Sequence, residues 1–246
     1  MKGTRGPPIW GRQSAGGSCA PGEVHLWRIE VDRAARDAPV IGPPLDAQEQ
    51  ERARRFHFDR DRDRFVACHV AMREILGAAL GCAPAEIEYA YGPFGKPALA
   101  ASRELEFNLS HTTGLALIAL GRAGPLGVDV EIVRRDDPPL DVADRFFSPA
   151  ELRELEATSP SDKAEAFFRC WTRKEAFIKA LGLGLQRDLQ SFDVSLAPGA
   201  EARLEATRPD PAEAGRWTLA NIDVGGLHAA ALVTRGPFDR LRCWQY

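Results

Sequence analysis

Three acidic side chains and a lysine carry the chemistry that this sequence offers. Gly127-Val128-Asp129-Val130-Glu131 alternates apolar and acidic residues. On a strand, Asp129 and Glu131 project from one face and the valines from the other, with the carboxylates roughly 7 Å apart along the chain. One hard cation can bridge that span, although an amphipathic strand with a solvated acidic face gives the same pattern. The clearest helical pattern runs over residues 162–181, where Ala164, Phe167, Phe168, Trp171 and Ile178 share an apolar arc. At 3.6 residues per turn Glu175 falls inside that arc. A carboxylate aimed at a core is unfavourable unless it is paired or metal-bound. An i,i+4 pair with Lys179 explains the spacing but not the inward direction. Asp129, Glu131 and Glu175 form an all-oxygen donor set suited to Mg²⁺, which commonly also keeps waters and substrate phosphate oxygens. No His/Cys set with zinc spacing competes with it.

Cations that could hold an anion lie upstream. Gly95-Lys96-Pro97 puts an ammonium on a constrained turn, where a plain surface turn is an equal reading. Asn108-Leu109-Ser110-His111 is expected to end a strand with a hydroxyl and an imidazole at the mouth of a turn. Arg52, Arg54, Arg55, Arg60, Arg62 and Arg64 form a dense basic stretch, interleaved from Asp59 onward with Asp61 and Asp63. Most of these make a solvated helix surface; one or two could grip a phosphate bidentately.

The elements that must position these residues follow from local pattern. Val24 to Ile29 alternates as a strand, and a Gly/Pro/Asp linker follows. Asp46 with Glu49 marks the start of a polar helix to about Phe58. Phe65, Cys68, Met72, Ile75, Leu76 and Ala79 recur at helical spacing up to Gly81. Ile87 to Tyr91 reads as extended and Gly92 to Pro97 as a turn. Phe107–Leu109, Leu115–Leu120 and Gly127–Val133 read as strands, and Asp144 to Glu156 as a helix capped by Ser148. Ser191–Leu196, Trp217–Ile222 and Leu227–Val233 close the series as strands. The result is an α+β arrangement written twice, visible in element order and not in sequence repetition.

The 246 residues carry a net charge of −3, so no global basic excess points to nucleic acid or an anionic membrane. Five scattered cysteines, with no C-x-x-C pair, fit reduced thiols in a cytoplasmic protein. The longest apolar run, Leu115 to Leu120, is too short to span a bilayer. Residues 1–22 are rich in Gly, Pro and Ser without an apolar stretch, and are expected to form a flexible tail.

In order and spacing, Gly95-Lys96-Pro97, Phe107-Asn108-Leu109-Ser110-His111, Gly127-Val128-Asp129-Val130-Glu131, Phe146-Phe147-Ser148 and Trp171-Thr172-Arg173-Lys174-Glu175-Ala176-Phe177-Ile178-Lys179 resemble the 4′-phosphopantetheinyl transferases, over residues 24 to 235. The similarity is to the long, surfactin-synthetase-activating type. It implies a pseudo-twofold pair of similar α+β subdomains, residues 23–121 and 122–246, with coenzyme A in the cleft between them. A monomer would then hold a whole site. It also implies transfer of phosphopantetheine from coenzyme A to a serine of an apo acyl or peptidyl carrier protein. By matching position, Asp129, Glu131 and Glu175 would hold Mg²⁺ (or Mn²⁺), and Lys179 would contact the phosphate under attack. Lys96, Ser110 and His111 would bind nucleotide phosphates, with Arg52 and Arg64 near them; Glu175 is the expected proton acceptor. Glu49 stands where some relatives carry a cation. Leu181 to Leu185 is a candidate carrier-binding segment, with ordinary loop packing as the equal alternative. Two rival readings remain at this point: a non-catalytic coenzyme A- or carrier-binding relative, and a metal-dependent nuclease.

Overall fold

The computed structural model describes residues 10–12, 17–37, 41–101, 104–122 and 124–246. Strand β1 (Trp10–Arg12) precedes β2 (Glu23–Glu30), helices α1 (Val31–Asp37), α2 (Ala47–Arg54) and α3 (Asp59–Leu80), and the small hairpin β3 (Tyr89–Tyr91) and β4 (Pro97–Leu99). Strands β5 (Glu106–Thr112) and β6 (Leu115–Gly121) complete the first half. The second half contains β7 (Leu126–Ile132), α4 (Leu140–Phe146), α5 (Pro149–Ala157), α6 (Lys163–Leu181), the hairpin β8 (Phe192–Val194) and β9 (Leu204–Thr207), then β10 (Trp217–Asn221) and β11 (His228–Arg235). Strand β12 (Arg240–Gln245) ends the chain.

From β2 to β6 and again from β7 to β11, the chain runs through one succession: strand, two short helices, long helix, small hairpin, two antiparallel strands. The sheets repeat as well, in the orders β2-β6-β5 and β7-β11-β10. This is the α+β pair that the resemblance implied. The likeness extends to buried charges. Capping boxes open both α2 and α5, through Asp46 with Glu49 and Ser148 with Glu151. Each capping glutamate then turns inward to a cation on the long helix. Glu49 meets Arg73 Nε at 2.6 Å, and Glu151 meets Lys174 Nζ at 2.7 Å. Further donors of each cation hold the chain entering the small hairpin: Arg73 Nη1 binds the carbonyls of Pro84 and Ile87, and Lys174 those of Leu189 and Phe192, while Arg73 Nη2 donates to Asp46. All four side chains are buried, so each pair is tolerable only because its polar atoms find partners.

Three apolar clusters fix where the halves meet. Trp27, Ile75 and Phe107 pack between α3 and the first sheet; Phe167, Phe177 and Phe192 pack beneath α6. Leu26, Leu117, Val128, Val130 and Leu232 form the core between the two sheets. Burying Val128 and Val130 there forces Asp129 and Glu131 to the other face of β7, toward α6.

The structure departs from several expectations. Residues 10–12 of the expected free tail pair in parallel with β12, and Cys19 is buried. Strand β12 pairs with β2, so the last strand of the expected 122–246 unit belongs to the sheet of the first half. Ser148 divides the expected 144–156 helix, because its side chain caps α5 and residues 147–148 are extended. Part of the expected linker is helix α1. Among the described residues no helix is long and apolar enough to cross a membrane, and all five cysteines are free.

Candidate functional site

Helix α6 lies against β7 because Gly127 carries no side chain: a Cβ there would stand 2.1 Å from Ala176 O and 2.5 Å from Ala180 N. That approach brings the stripe Trp171, Glu175 and Lys179, spaced one turn apart, opposite the acidic face of β7. A cavity of about 320 Å³ opens between them, lined by Leu109, Ser110, His111, Asp129, Glu131, Trp171, Glu175 and Lys179. The first half supplies β5 and the second supplies β7 and α6, so the cavity straddles the junction. Six of the predicted site residues meet here.

Lys179 is the cation of this cavity. Its Nζ donates to Asp129 Oδ1 at 2.6 Å, to Ser110 Oγ at 2.8 Å and to Val128 O at 3.3 Å. Ser110 in turn donates to Asp129 Oδ1 at 2.8 Å. Asp129 Oδ2 is buried without a hydrogen-bond partner. Desolvation, followed by repulsion from Asp129, pushes the Glu175 carboxyl up to about 7, with Lys179 opposing and Glu131 adding to the rise. Glu131 is raised by the same two main causes, desolvation and then Asp129. His111 is lowered by partial desolvation and then by the field of Lys179, His69 and Arg52. Three carboxylates thus face one cavity with a single lysine, an arrangement with room for added positive charge.

That donor set fits a hard divalent cation: it is all oxygen, it is under-neutralised, and one buried carboxylate oxygen lacks a partner. The three-carboxylate cage expected from sequence is not preformed, however. Among the described residues no group of three or more His, Cys, Asp or Glu side chains is placed to hold a metal ion. Mg²⁺ typically retains waters and takes ligand phosphate oxygens, so an incomplete protein cage remains compatible with it.

Other predicted residues lie elsewhere. Arg52 lines a second cavity of about 110 Å³ with Gln48, Glu49, Phe65, His69, Met72, Tyr89, Tyr91, Gly95 and Pro97. Its guanidinium sits 5.1 Å from the Phe65 ring centre. Arg64 is turned to Asp32 at 2.7 Å. Lys96 Nζ donates to Leu126 O at 2.9 Å and Ala180 O at 3.4 Å, clamping the first half's hairpin to β7 and α6. In this conformation neither Arg64 nor Lys96 lines either of these two cavities, and each is held by a nearer partner. Glu49, seen from sequence as a substitution for a phosphate-binding cation, is the buried partner of Arg73 and His69. Ser110 and His111 lie within β5 and not at a turn, since the strand continues to Thr112. Thr112, whose hydroxyl donates to Glu131 Oε2 at 3.1 Å, escaped the sequence reading. The alternation Asn108, Ser110, Thr112 was its available signal.

An acidic cavity lined from both of two similar α+β halves defines a duplicated fold with its candidate site at the junction. The sequence model of the 4′-phosphopantetheinyl transferase superfamily matches residues 125–232, and that of the 4′-phosphopantetheinyl transferase N-terminal region matches residues 34–122. The 4′-phosphopantetheinyl transferase HetI of Nostoc sp. is 35% identical over 227 residues, 91% of this chain and 92% of its own. A 4′-phosphopantetheinyl transferase of Bacillus subtilis is 33% identical over 74% of this chain and 81% of its own. Sfp of Bacillus subtilis strain 168 is 29% identical over 65% of this chain and 70% of its own. The chain belongs to the 4′-phosphopantetheinyl transferase superfamily, in its long, Sfp-like form. Neither the nuclease reading nor the non-catalytic reading finds support in these relatives.

Proposed function

We propose that this chain moves the 4′-phosphopantetheine arm of coenzyme A to a serine of an apo acyl or peptidyl carrier protein, releasing adenosine 3′,5′-bisphosphate. The reading rests on one observation: Asp129, Glu131, Glu175 and Lys179 line a single cavity at the junction of the halves. Asp129, Glu131 and Glu175 would hold Mg²⁺, or Mn²⁺, during transfer. When bound, such an ion supplies positive charge against the pyrophosphate of coenzyme A.

The chain's own groups have distinct tasks. Lys179, anchored by Asp129 and Ser110, presents an ammonium where negative charge grows on the reacting phosphate. Glu175, whose carboxylate a bound cation would keep ionised, is placed in the cavity to accept the serine proton directly or through water. His111, lining the first cavity, and Arg52, lining the second, supply donors for the nucleotide phosphates. Lys96 and Arg64 would join them only after leaving their present partners. Asp129 and Ser110 hold Lys179 in place, so phosphoryl transfer gains mainly from alignment and charge.

Because both halves of the cavity come from one chain, a monomer suffices. Five free cysteines support a reducing, cytoplasmic setting. Intact-protein mass spectrometry tests the proposal: with coenzyme A and Mg²⁺, an apo carrier gains one phosphopantetheine, and Asp129→Asn prevents the gain. Coenzyme A binding without modification of any carrier in a panel of acyl and peptidyl types would overturn it in favour of a binding module.

A further inference from the structure

Strands β5 and β7 lie side by side at the junction, yet they stand at the edges of different sheets. Side chains replace the backbone ladder between them. Asn108 Oδ1 accepts the amide of Val128 at 2.9 Å, Ser110 Oγ that of Val130 at 3.3 Å, and Thr112 Oγ1 that of Ile132 at 3.3 Å. The constant separation of twenty residues means that the strands run parallel in fixed register. Three successive amides of β7 are thereby satisfied by alternate residues of β5.

The two hydroxyls do more than accept. Having taken an amide, Ser110 donates to Asp129 Oδ1, and Thr112 donates to Glu131 Oε2. Each hydroxyl thus grips the carboxylate that precedes the amide it accepts, fixing backbone and side chain together. Asn108 makes the amide contact at a position where β7 carries Gly127, with no carboxylate to hold. The seam therefore separates two roles: joining the halves, done at all three positions, and aiming carboxylates, done by the hydroxyls alone.

We propose that Thr112 is a positioning residue for Glu131, holding its carboxylate toward the divalent cation. This rests on the proposed function insofar as Glu131 serves metal binding during transfer. Thr112→Val keeps the shape and removes both hydrogen bonds; Thr112→Ser keeps the hydroxyl; Asn108→Ala loosens the seam without touching a carboxylate.

Binding of Mn²⁺ to each protein at saturating coenzyme A, read from the electron paramagnetic resonance of free Mn²⁺, tests the assignment beside thermal melts. Thr112→Val should weaken Mn²⁺ binding about tenfold, as removal of outer-shell partners does. Thr112→Ser should stay near wild type. Asn108→Ala should lower the melting temperature more than Thr112→Val while leaving Mn²⁺ affinity close to wild type. Unchanged Mn²⁺ binding in Thr112→Val, equal weakening in Thr112→Val and Asn108→Ala, or no Mn²⁺ binding by the wild type would overturn it. If Thr112→Val is insoluble, Thr112→Ala, which also removes the hydroxyl, makes the same comparison. The measurement needs no carrier protein. A wild-type chain that binds Mn²⁺ but modifies no carrier refutes the functional reading and leaves the Thr112 comparison decisive.

Discussion

Replacing Glu175 by glutamine should stabilise the metal-free protein at alkaline pH while removing transfer. The carboxyl titrates near 4.5 when unfolded and near 7 in the folded chain, raised by desolvation and by Asp129. Between those values the native state keeps a proton that the unfolded state has released. Stability from this group is therefore greatest below 4.5, falls as pH rises, and is fully lost above 7. A displacement of that size corresponds to about 3 kcal/mol at most. Glu175 is half-buried, and solvent screening reduces the realised value to about 1–2 kcal/mol. For a chain of this length that is a rise of roughly 3–6 °C in melting temperature. Thermal melts in a chelator at pH 5.5 and pH 8 supply the assay. The gain of Glu175→Gln over wild type should be clear at pH 8 and less than half as large at pH 5.5. Mg²⁺ with coenzyme A should narrow the gap by stabilising the wild type preferentially. A variant less stable than wild type at pH 8, or a gain independent of pH, would rule out a raised Glu175 carboxyl as the cause.

Three further substitutions probe how the site is held. Gly127→Ala forces a methyl group into the backbone of α6 at Ala176 and Ala180, so it should destabilise by about 3 kcal/mol and abolish transfer; urea unfolding and the mass assay check both. Lys174→Met strands the buried Glu151 and should lose about 3–5 kcal/mol, part of which Glu151→Gln restores in the double variant; a denaturant double-mutant cycle measures the recovery. Lys96→Met frees the carbonyls of Leu126 and Ala180 and should lower stability by about 1–2 kcal/mol in the absence of coenzyme A, measured by calorimetry.

Much of this site was legible because its determinants are local. Alternation along Gly127 to Glu131 set the faces of β7, and helical spacing brought Glu175 and Lys179 to one side of α6. The capping signatures at Asp46 and Ser148 were equally local. What escaped depends on partners distant in sequence. Strand β12 joins β2 across more than two hundred residues, and its Arg-Leu-Arg-Cys-Trp-Gln pattern carries no sign of its partner. Arg173 and Lys174 are both buried because carbonyls of the following hairpin receive them, partners that helical spacing does not disclose. The present partners of Ser110 and Lys96 are also distant in sequence: Asp129 and Lys179 for one, two backbone carbonyls for the other. Thr112 gained meaning only once β5 was set against β7.

Where a divalent ion and coenzyme A settle decides whether the junction cavity is the site of transfer. Anomalous diffraction from crystals grown with coenzyme A and Mn²⁺ addresses this directly. The predicted map has one manganese peak contacting carboxylate oxygens of Asp129, Glu131 and Glu175, beside the pyrophosphate of a coenzyme A spanning both cavities. A coenzyme A bound away from this junction, or a peak touching none of the three carboxylates, would contradict it.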